Sequence, residues 1–394
     1  MKSFVYYQPT EIRFGRGRLD EVGKMVARYG KRCLIVTMPI SPIFEPVLGR
    51  VKGSLQKAGV LWEHFDGVVP NPTTDCVSAG ASIAKQFGAD VILGLGGGSS
   101  MDTAKAIAVE STHPGTAWDY LFFKTPPTSK TLPVIAVSTT SGTGSHVTQV
   151  AVMTETKTKT KSAIYNSIIF PKVAIVDPEL METVPAHITA STGFDAFCHA
   201  FESLLHPAAS PYTDRMALEA IELIAKYLPV VLEDGNNKEG REAMAWADTL
   251  AGLCIANAGV TLPHGIGMTI SGYCPQIMHG ESLAVIYPEF TRFTYPYAVS
   301  QFAAVGRIFD PGLKNLPDKQ AAAKACETLD DFLQRIGMWF SLSDLGATME
   351  DVVAIADHSR VLPDYKNNPR IASRDEIYTM LVSSYTRTQN ILIK

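Results

Sequence analysis

The sequence predicts an N-terminal α/β domain built on a parallel sheet, joined to an all-helical C-terminal domain. In the first half, short apolar runs alternate with helical segments, which is the pattern of a parallel sheet covered on both faces. After Asp177-Pro178 the strand signals fade, and periodic Ala, Leu and Ile patterns continue to the end of the chain. We therefore expect residues 1–184 to form the first domain and residues 185–394 to form the second.

Local patterns along the chain predict the individual strands and helices. The start, MKSFVYYQPTEIRF, alternates polar with apolar residues and predicts a strand rather than a signal peptide. Buried strands are predicted at Arg32–Thr37, Asp90–Leu95, Leu132–Ser138 and Val173–Val176. The intervening helices are predicted at Pro42–Ala58, Cys76–Phe87 and Met101–Glu110. The polar run Thr154–Lys161 predicts a solvated hairpin or loop. Later helices are predicted at Asp214–Val231, Glu242–Ala256, Asp318–Ile336 and Met349–Ala356.

Composition narrows the class of protein. Of the 394 residues 46% are hydrophobic and 19% charged, and the net charge is −4. This balance gives no general attraction to nucleic acid or to anionic membranes. No apolar run approaches the ~18 residues needed to cross a bilayer. The six cysteines form no CxxC pair, so we expect reduced, packed thiols and a cytoplasmic protein rather than a disulfide scaffold or a thiolate zinc site.

The strongest local signal is a glycine-rich loop, GLGGGSSMDTAK at Gly94–Lys105. It follows a predicted strand and opens a helix, so its glycines allow close backbone approach, and the helix N-terminus favours a phosphate. Ser99 and Asp102 are spaced like a capping pair. The dinucleotide fingerprint is matched only superficially, because no convincing ribose-binding acid follows about 20 residues later. A tight turn that binds nothing is the alternative.

A second small-residue loop, STTSGTGS at Ser138–Ser145, follows the next strand. Alone it is either a polar turn or a ligand site. Open parallel sheets bind ligands at the carboxyl ends of their strands. Two such loops on successive strands therefore indicate one shared crevice, which a dinucleotide would fill.

A mostly apolar helix at Thr189–Leu205 carries a narrow polar stripe. Asp195, His199, Glu202 and His206 share one face at 100° per residue. Asp195 and His199 are four residues apart, so both can reach one point above the helix. This pair suits a divalent metal, and the alternatives are a satisfied buried Asp–His pair or a stripe that faces solvent.

Two further histidines favour the metal. His264 in TLPHGIG and His279 in QIMHGES lie in or beside apolar stretches, and each precedes a glycine. Three imidazoles and one carboxylate, with no thiolate, suit Fe²⁺, Zn²⁺ or Mn²⁺.

Taken together, these motifs resemble the iron-containing (group III) alcohol dehydrogenases. GGGSSMDTAK, STTSGTGSHVT, GFDAFCHAFES, PHG and MHG occur in that family's order. The resemblance runs from about Thr10, through NPTTD at Asn71–Asp75, to about Pro288. It implies a dehydroquinate synthase-like architecture, in which a Rossmann-like nucleotide domain and a helical metal domain enclose the active site. The implied activity is hydride transfer between NAD or NADP and a small alcohol or aldehyde, with Fe²⁺, or Zn²⁺ or Mn²⁺, as the metal.

The resemblance also implies site residues and an assembly. By position, the metal ligands are Asp195, His199, His264 and His279. The pyrophosphate loop is Gly97, Gly98 and Ser99, with which we count Asp102. Other cofactor-lining positions are Asn71, Thr139, Thr140, Thr148 and Lys161. The family is usually dimeric, with the N-terminal strand crossing to the partner, and YYQPTEIRFG is similar to that strand. A homodimer or higher homo-oligomer is therefore expected.

Three positions depart from the family's pattern. Met268 replaces a histidine that is often given a proton-transfer role. Met38 replaces an aspartate that excludes the 2′-phosphate of NADP, so the choice between NAD and NADP stays open. His146 replaces the acid of GTGSE, and the sequence offers no explanation for that change.

Two alternatives remain at this point. One is a glycerol dehydrogenase-like or dehydroquinate synthase-like enzyme of the same architecture. The other, from a different class, is a non-catalytic nucleotide-binding sensor, against which the apparently complete set of four metal ligands argues.

Overall fold

The computed structural model describes residues 3–121 and 124–387. Six parallel strands form its sheet in the order β1-β8-β5-β4-β2-β3. They are β1 (Glu11–Phe14), β2 (Arg32–Val36), β3 (Leu61–Phe65), β4 (Val91–Gly96), β5 (Val134–Ser138) and β8 (Val173–Val176). A separate antiparallel hairpin consists of β6 (Val150–Glu155) and β7 (Thr160–Tyr165). Its turn lies within the polar run Thr154–Lys161, so the predicted hairpin is confirmed.

Helices cover both faces of the sheet because successive strand residues point to opposite sides. Leu34 on β2 packs with α3 (Thr74–Phe87) and α4 (Gly98–Glu110) on one face. The neighbouring Ile35 packs with α1 (Val22–Val26) and α2 (Glu45–Lys57) on the other. The continuous apolar strands of the sequence are therefore buried from both sides, as predicted.

The second half is helical. Its helices are α5 (Ala186–Leu205), α6 (Pro211–Glu233), α7 (Lys238–Asn257), α8 (Leu262–Tyr273), α9 (His279–Thr294), α10 (Val299–Phe309), α11 (Asp318–Arg335), α12 (Met349–His358) and α13 (Arg374–Tyr385). They share one hydrophobic cluster, in which Phe194, Phe197 and Phe201 of α5 pack around Tyr287 of α9. The predicted fold class is confirmed. Over the described residues, no single helix has the length and apolar character of a membrane span; the sharply bent pair α7 and α8 meets that test only jointly.

The register of the sheet positions the two loops singled out in the sequence. Gly96 at the end of β4 pairs with Ser138 at the end of β5. Both strands end at the same edge, so the segments that follow them leave side by side. Strand β3 escaped prediction because it is an edge strand: Leu61 and Trp62 are 60% and 38% exposed, so LWEHF lacks the pattern of a buried strand.

Candidate functional site

A cavity of about 470 Å³ lies between this sheet edge and the helices of the second half. The start of α4, the β6–β7 hairpin and helices α5, α8 and α9 all contribute lining residues. Its size is that of a small-molecule site.

Two positions in the glycine loop leave no room for a side chain. Gly96 has a φ of +148°, and a Cβ there would lie 2.5 Å from the Ser100 Oγ. A Cβ on Gly98 would lie 2.5 Å from Thr143 Cγ2. The two loops are therefore in contact, with no room for a side chain between them.

The predicted capping pair is wrong. The N-cap of α4 is Gly97, and no side chain caps the helix. Asp102 instead accepts hydrogen bonds from Ser145 Oγ at 2.6 Å and from the Val152 amide at 3.1 Å. The helix N-terminus thus keeps free N–H groups for an anion, since no side chain occupies it.

A buried lysine on α4, Lys105, bonds to the same segment that Asp102 contacts. Lys105 Nζ donates to the carbonyl oxygens of Ser145, Val150 and Thr148 at 2.6, 2.7 and 2.9 Å. Burial lowers the pKa of Lys105 to about 8, and burial raises that of Asp102. Both side chains tie α4 to residues 145–152, which carry the second loop into the hairpin.

Lys161 and Asn71 meet on another wall of the cavity. Lys161 Nζ donates to Asn71 Oδ1 at 2.8 Å, and Asn71 adopts a φ of +51°. Burial lowers the pKa of Lys161 to about 8. A non-glycine residue at positive φ is uncommon and is held by its surroundings, here by this hydrogen bond.

The structure separates the predicted cofactor residues into two groups. Those that line the cavity are Asn71, Gly98, Ser99, Asp102, Thr148 and Lys161. Those that do not are Gly97, Thr139 and Thr140. Gly97 and Thr140 face each other, since a Cβ on the glycine would lie 3.1 Å from the threonine Oγ1.

The three predicted histidine ligands lie around one carboxylate oxygen, that of Asp195, and His279 stands outside the tightest cluster. Asp195 Oδ1 lies 3.6 Å from Nε2 of His199, 3.6 Å from Nε2 of His264 and 3.8 Å from Nε2 of His279. One ligand atom from each of Asp195, His199 and His264 fits within 4.8 Å of the others. All four residues line the cavity, so whatever they hold also faces the glycine loop's crevice.

The electrostatics of the cluster fit a cation. Asp195 Oδ1 and His264 Nε2 are buried and have no hydrogen-bond partner among the described residues. Burial alone would raise the pKa of Asp195, but the imidazoles of His199, His279 and His264 hold it below its usual range. Burial lowers the pKa values of His199 and His279, which favours the neutral imidazole that binds metals. Four convergent donors, two of them orphaned, fit a divalent ion.

Two of the imidazoles are oriented from behind. His199 Nδ1 donates to the Gly142 carbonyl at 3.1 Å, and His264 Nδ1 donates to Glu202 Oε1 at 2.8 Å. In the neutral rings these bonds hold the proton on Nδ1 and leave Nε2 as the lone-pair atom that faces the shared point. Although burial lowers the pKa of His264, Glu202 and then Asp195 raise it to about 10 in the metal-free protein.

Sequence reasoning placed Glu202 on the polar stripe without giving it a role. It is fully buried, and its Oε2 accepts from the Thr261 amide at 2.8 Å. Its position three residues after His199 was the available signal. The Gly142 carbonyl carried no signal in the sequence.

The remaining wall of the cavity contains His206, Met268 and Asp364. The stripe residue His206 ends α5, and its Nδ1 accepts from the Ala208 amide at 2.9 Å. Burial, and next the nearby Glu202, raise the pKa of Asp364 to about 6, against the opposing effect of His264. No feature of the sequence had distinguished Asp364.

His146, the third departure from the family's pattern, lies behind the second loop. It is fully buried, and its Nε2 lies 3.0 Å from the Thr249 Oγ1 on α7. That hydroxyl donates to the Ala245 carbonyl, so it accepts from His146. The residue connects the sheet half to the helical half rather than facing the cavity.

Comparison with known proteins identifies the class. The model of the iron-containing alcohol dehydrogenase family matches residues 9–178, and that of its C-terminal region matches residues 189–385. The chain therefore belongs to the iron-containing alcohol dehydrogenase family, a class of metal-dependent oxidoreductases. The predicted family and enzyme class are confirmed.

Individual relatives cover nearly the whole chain. An NAD-dependent methanol dehydrogenase of Bacillus methanolicus is 33% identical over 94% of this chain and 97% of its own. A 1,3-propanediol dehydrogenase of Klebsiella pneumoniae is 33% identical over 95% and 97%. The crystal structure of an archaeal alcohol dehydrogenase from a Red Sea brine pool superposes with a TM-score of 0.93 at 35% identity, covering 98% of this chain and 100% of that one.

Proposed function

We propose that this chain oxidises small alcohols, and reduces the corresponding aldehydes, with a nicotinamide dinucleotide and a divalent cation held by Asp195, His199, His264 and His279. The observation that carries the proposal is the convergence of three Nε2 atoms on one buried carboxylate oxygen, at 3.6–3.8 Å. The same cavity reaches the glycine loop. Iron is the first candidate, and Zn²⁺ and Mn²⁺ suit the same donors.

When bound, the cation supplies a Lewis acid and the dinucleotide supplies or accepts the hydride. The chain's own residues do the rest. Asp195 contributes the negative charge that a cation needs, and Glu202 keeps the His264 lone pair directed at it. The α4 N-terminus offers its amides to a pyrophosphate, while Lys161 and Asn71 line the adjoining wall. Asp195, His199 and His264 are buried, which limits the access of water to the reacting atoms.

Proton transfer is proposed to follow another route than in relatives with a histidine at position 268. The Met268 thioether lines the cavity and has no exchangeable proton. His206 lines the same cavity and can exchange one, as can water.

Both coenzymes are proposed to be accepted. Relatives include an NAD-dependent methanol dehydrogenase and an NADH-dependent butanol dehydrogenase of Thermotoga maritima. Met38, 39% exposed just after β2, brings no charge that would repel the 2′-phosphate of NADP.

The test begins with metal removal. After chelation the protein should no longer oxidise NADH in the presence of aldehydes, and anaerobic Fe²⁺ should restore turnover. His279→Ala should lose both metal binding and turnover. His187→Ala changes an exposed histidine that does not line the cavity, and it should keep both. Full activity of the metal-free protein, or of His279→Ala, would contradict the proposal.

We also propose a homodimer formed through the N-terminal segment. Phe4, Val5 and Tyr7 are 42%, 85% and 56% exposed, and β1 is an edge strand. An apolar segment beside an open edge favours pairing with a second copy. Light scattering should give twice the chain mass, and deletion of residues 1–10 should yield monomers.

The proposed domain boundary stays at residues 184/185. It is supported by the start of α5 at Ala186, and by family matches that end at residue 178 and resume at residue 189. A cytoplasmic location is supported by the six cysteines, all of which are unpaired thiols.

A further inference from the structure

The second small-residue loop passes between two helices of the helical half. A Cβ on Gly142 would lie 2.5 Å from the Thr192 Cβ of α5, and a Cβ on Gly144 would lie 2.4 Å from the Gly252 Cα of α7. Contacts this short leave no space for a side chain at either glycine. The turn 142–144 is therefore held between α5, which carries two of the proposed metal ligands, and α7, which carries none of them.

One side of this turn contacts a proposed metal ligand. The Gly142 carbonyl accepts the hydrogen bond from His199 Nδ1 at 3.1 Å. The partner of the second ring nitrogen sets the orientation of a ligating imidazole and the nitrogen that stays free for the metal. Because a backbone carbonyl moves only when its turn moves, any group that fixes the turn 142–144 also fixes His199.

The other side of the turn is bound by Asp248 of α7. Its side chain is 1% exposed, and its Oδ1 accepts a hydrogen bond from the Gly144 amide at 2.8 Å. Burial raises the pKa of Asp248 to about 7, and the backbone amides of Gly144 and Gly142 oppose that rise. The loop itself has no acid in this chain, because His146 stands where the family's pattern has one. The carboxylate that binds the turn therefore comes from the neighbouring helix.

The remaining contacts of Asp248 give it no other role. It does not line the cavity. Among residues 3–121 and 124–387 its Oδ2 has no hydrogen-bond partner, and it lies 3.9 Å from His146 Nδ1, which also has none. A buried carboxylate destabilises a fold unless it is well paired. The short bond to Gly144 is thus the main contribution that Asp248 makes to the structure.

We propose that Asp248 is a positioning residue for the metal ligand His199. By binding the Gly144 amide, it fixes the turn 142–144 and with it the Gly142 carbonyl to which the imidazole donates. The inference rests on the proposed function, since it requires that His199 binds a cation. It assigns part of the metal affinity to a residue that lies outside the cavity and contacts neither substrate nor metal.

The test replaces Asp248 in the full-length protein and uses Co²⁺ as the probe. Co²⁺ suits the same imidazole and carboxylate donors, and its visible absorption reports its coordination geometry. Asp248→Ala leaves the Gly144 amide without its acceptor and releases the turn. We expect chelator competition to give about 10-fold weaker Co²⁺ binding, with shifted absorption bands of the bound ion. Asp248→Asn keeps an oxygen that can accept from Gly144, so it should restore the wild-type affinity and spectrum.

The matched control is the next residue of α7. Thr249 is fully buried, and it accepts a hydrogen bond from His146, which also lies in the sheet half. Thr249→Val removes that bond between the two halves without touching the turn 142–144. It should lower the free energy of unfolding in urea titrations and leave Co²⁺ affinity and the Co²⁺ spectrum unchanged.

The outcomes separate the inference from the proposed function. A folded Asp248→Ala protein with wild-type Co²⁺ affinity and spectrum, or an equal loss of affinity in Thr249→Val, would overturn the inference. If Asp248→Ala does not fold, Asp248→Ser, whose side chain is one atom shorter than that of aspartate, takes its place with the same expected and refuting results. A wild type that binds no Co²⁺ refutes the proposed function and the inference with it. A wild type that binds Co²⁺ and reduces aldehydes with NADH keeps the proposed function, whatever Asp248→Ala does.

Discussion

Replacing Glu202 by Gln tests whether the carboxylate behind His264 governs metal affinity. The two short hydrogen bonds to Glu202 come from His264 Nδ1 at Oε1 and the Thr261 amide at Oε2, both at 2.8 Å, and the Thr261 hydroxyl also donates to Oε2 at 3.3 Å. A glutamine has one oxygen and one NH₂ group, so it can accept from only one of them. If the NH₂ faces His264, the imidazole must present Nδ1 as an acceptor, and its proton moves to Nε2, toward Asp195. If the NH₂ faces Thr261, a buried amide loses its acceptor.

Each orientation of the glutamine amide has an expected effect, either on metal affinity or on stability. Loss of the partner that orients a ligating histidine typically lowers metal affinity 10- to 100-fold, or about 1.4–2.8 kcal/mol. An unsatisfied buried amide lowers stability by about 1–3 kcal/mol. We therefore expect Glu202→Gln either to bind its metal about 10- to 100-fold more weakly or to lose about 1–3 kcal/mol of stability, according to which way the amide group faces.

The assay is chelator competition with a metal-sensitive dye, paired with circular dichroism to establish folding. Glu219→Gln, at an exposed α6 residue that accepts a hydrogen bond from Trp246 and does not line the cavity, is the control and should keep wild-type metal affinity. A folded Glu202→Gln protein with unchanged metal affinity and unchanged stability would refute the reasoning, because the glutamine cannot keep both hydrogen bonds.

Three further changes have defined outcomes. Burial lowers the pKa of His146 to about 3, so below about pH 6.5 the unfolded chain takes up a proton that the folded protein refuses, and stability falls as the pH falls. His146→Gln should remove up to about 2 kcal/mol of that loss between pH 6.5 and 5 in urea titrations, whereas the exposed His187→Gln should leave the slope unchanged. A Cβ on Gly280 would lie 2.1 Å from a backbone oxygen of α5, so Gly280→Ala should destabilise the protein by about 1–3 kcal/mol and weaken metal binding. Gly53 has open space around it, so Gly53→Ala should instead raise the melting temperature. Equal behaviour of the two alanine variants would contradict the packing argument. Met38→Asp should reduce kcat/KM with NADP about tenfold and leave NAD unaffected, because a carboxylate after β2 repels a 2′-phosphate; an unchanged coenzyme ratio would show that the phosphate lies elsewhere.

The parts of the site that could be predicted from the sequence are those whose residues lie close together along the chain. Asp195 and His199 are one helical turn apart, and the glycines of the α4 loop are consecutive, so their proximity follows from backbone geometry alone. The convergence of His264 and His279 with them was reached through unusual histidines in apolar surroundings and through family resemblance.

The parts of the site that could not be predicted from the sequence depend on long-range packing. The bond between Glu202 and His264 joins residues 62 positions apart, and nothing near Glu202 indicates which donor it will meet. Asp364 is one of many aspartates in the sequence, and only the docking of its 3₁₀ helix on α8 places it in the cavity. Local spacing misled once, since Ser99 and Asp102 match a capping pair while Asp102 bonds the distant Ser145.

The burial of every cysteine bears on how this protein responds to oxidants. Burial raises the pKa of all six thiols, so the nucleophilic thiolate is scarce at neutral pH. Peroxide and alkylating reagents therefore find little to attack among them. An activity that declines in air and returns after reloading with ferrous iron consequently reports the redox state of the metal, and thiol reductants can be left out of the buffers in which that state is measured.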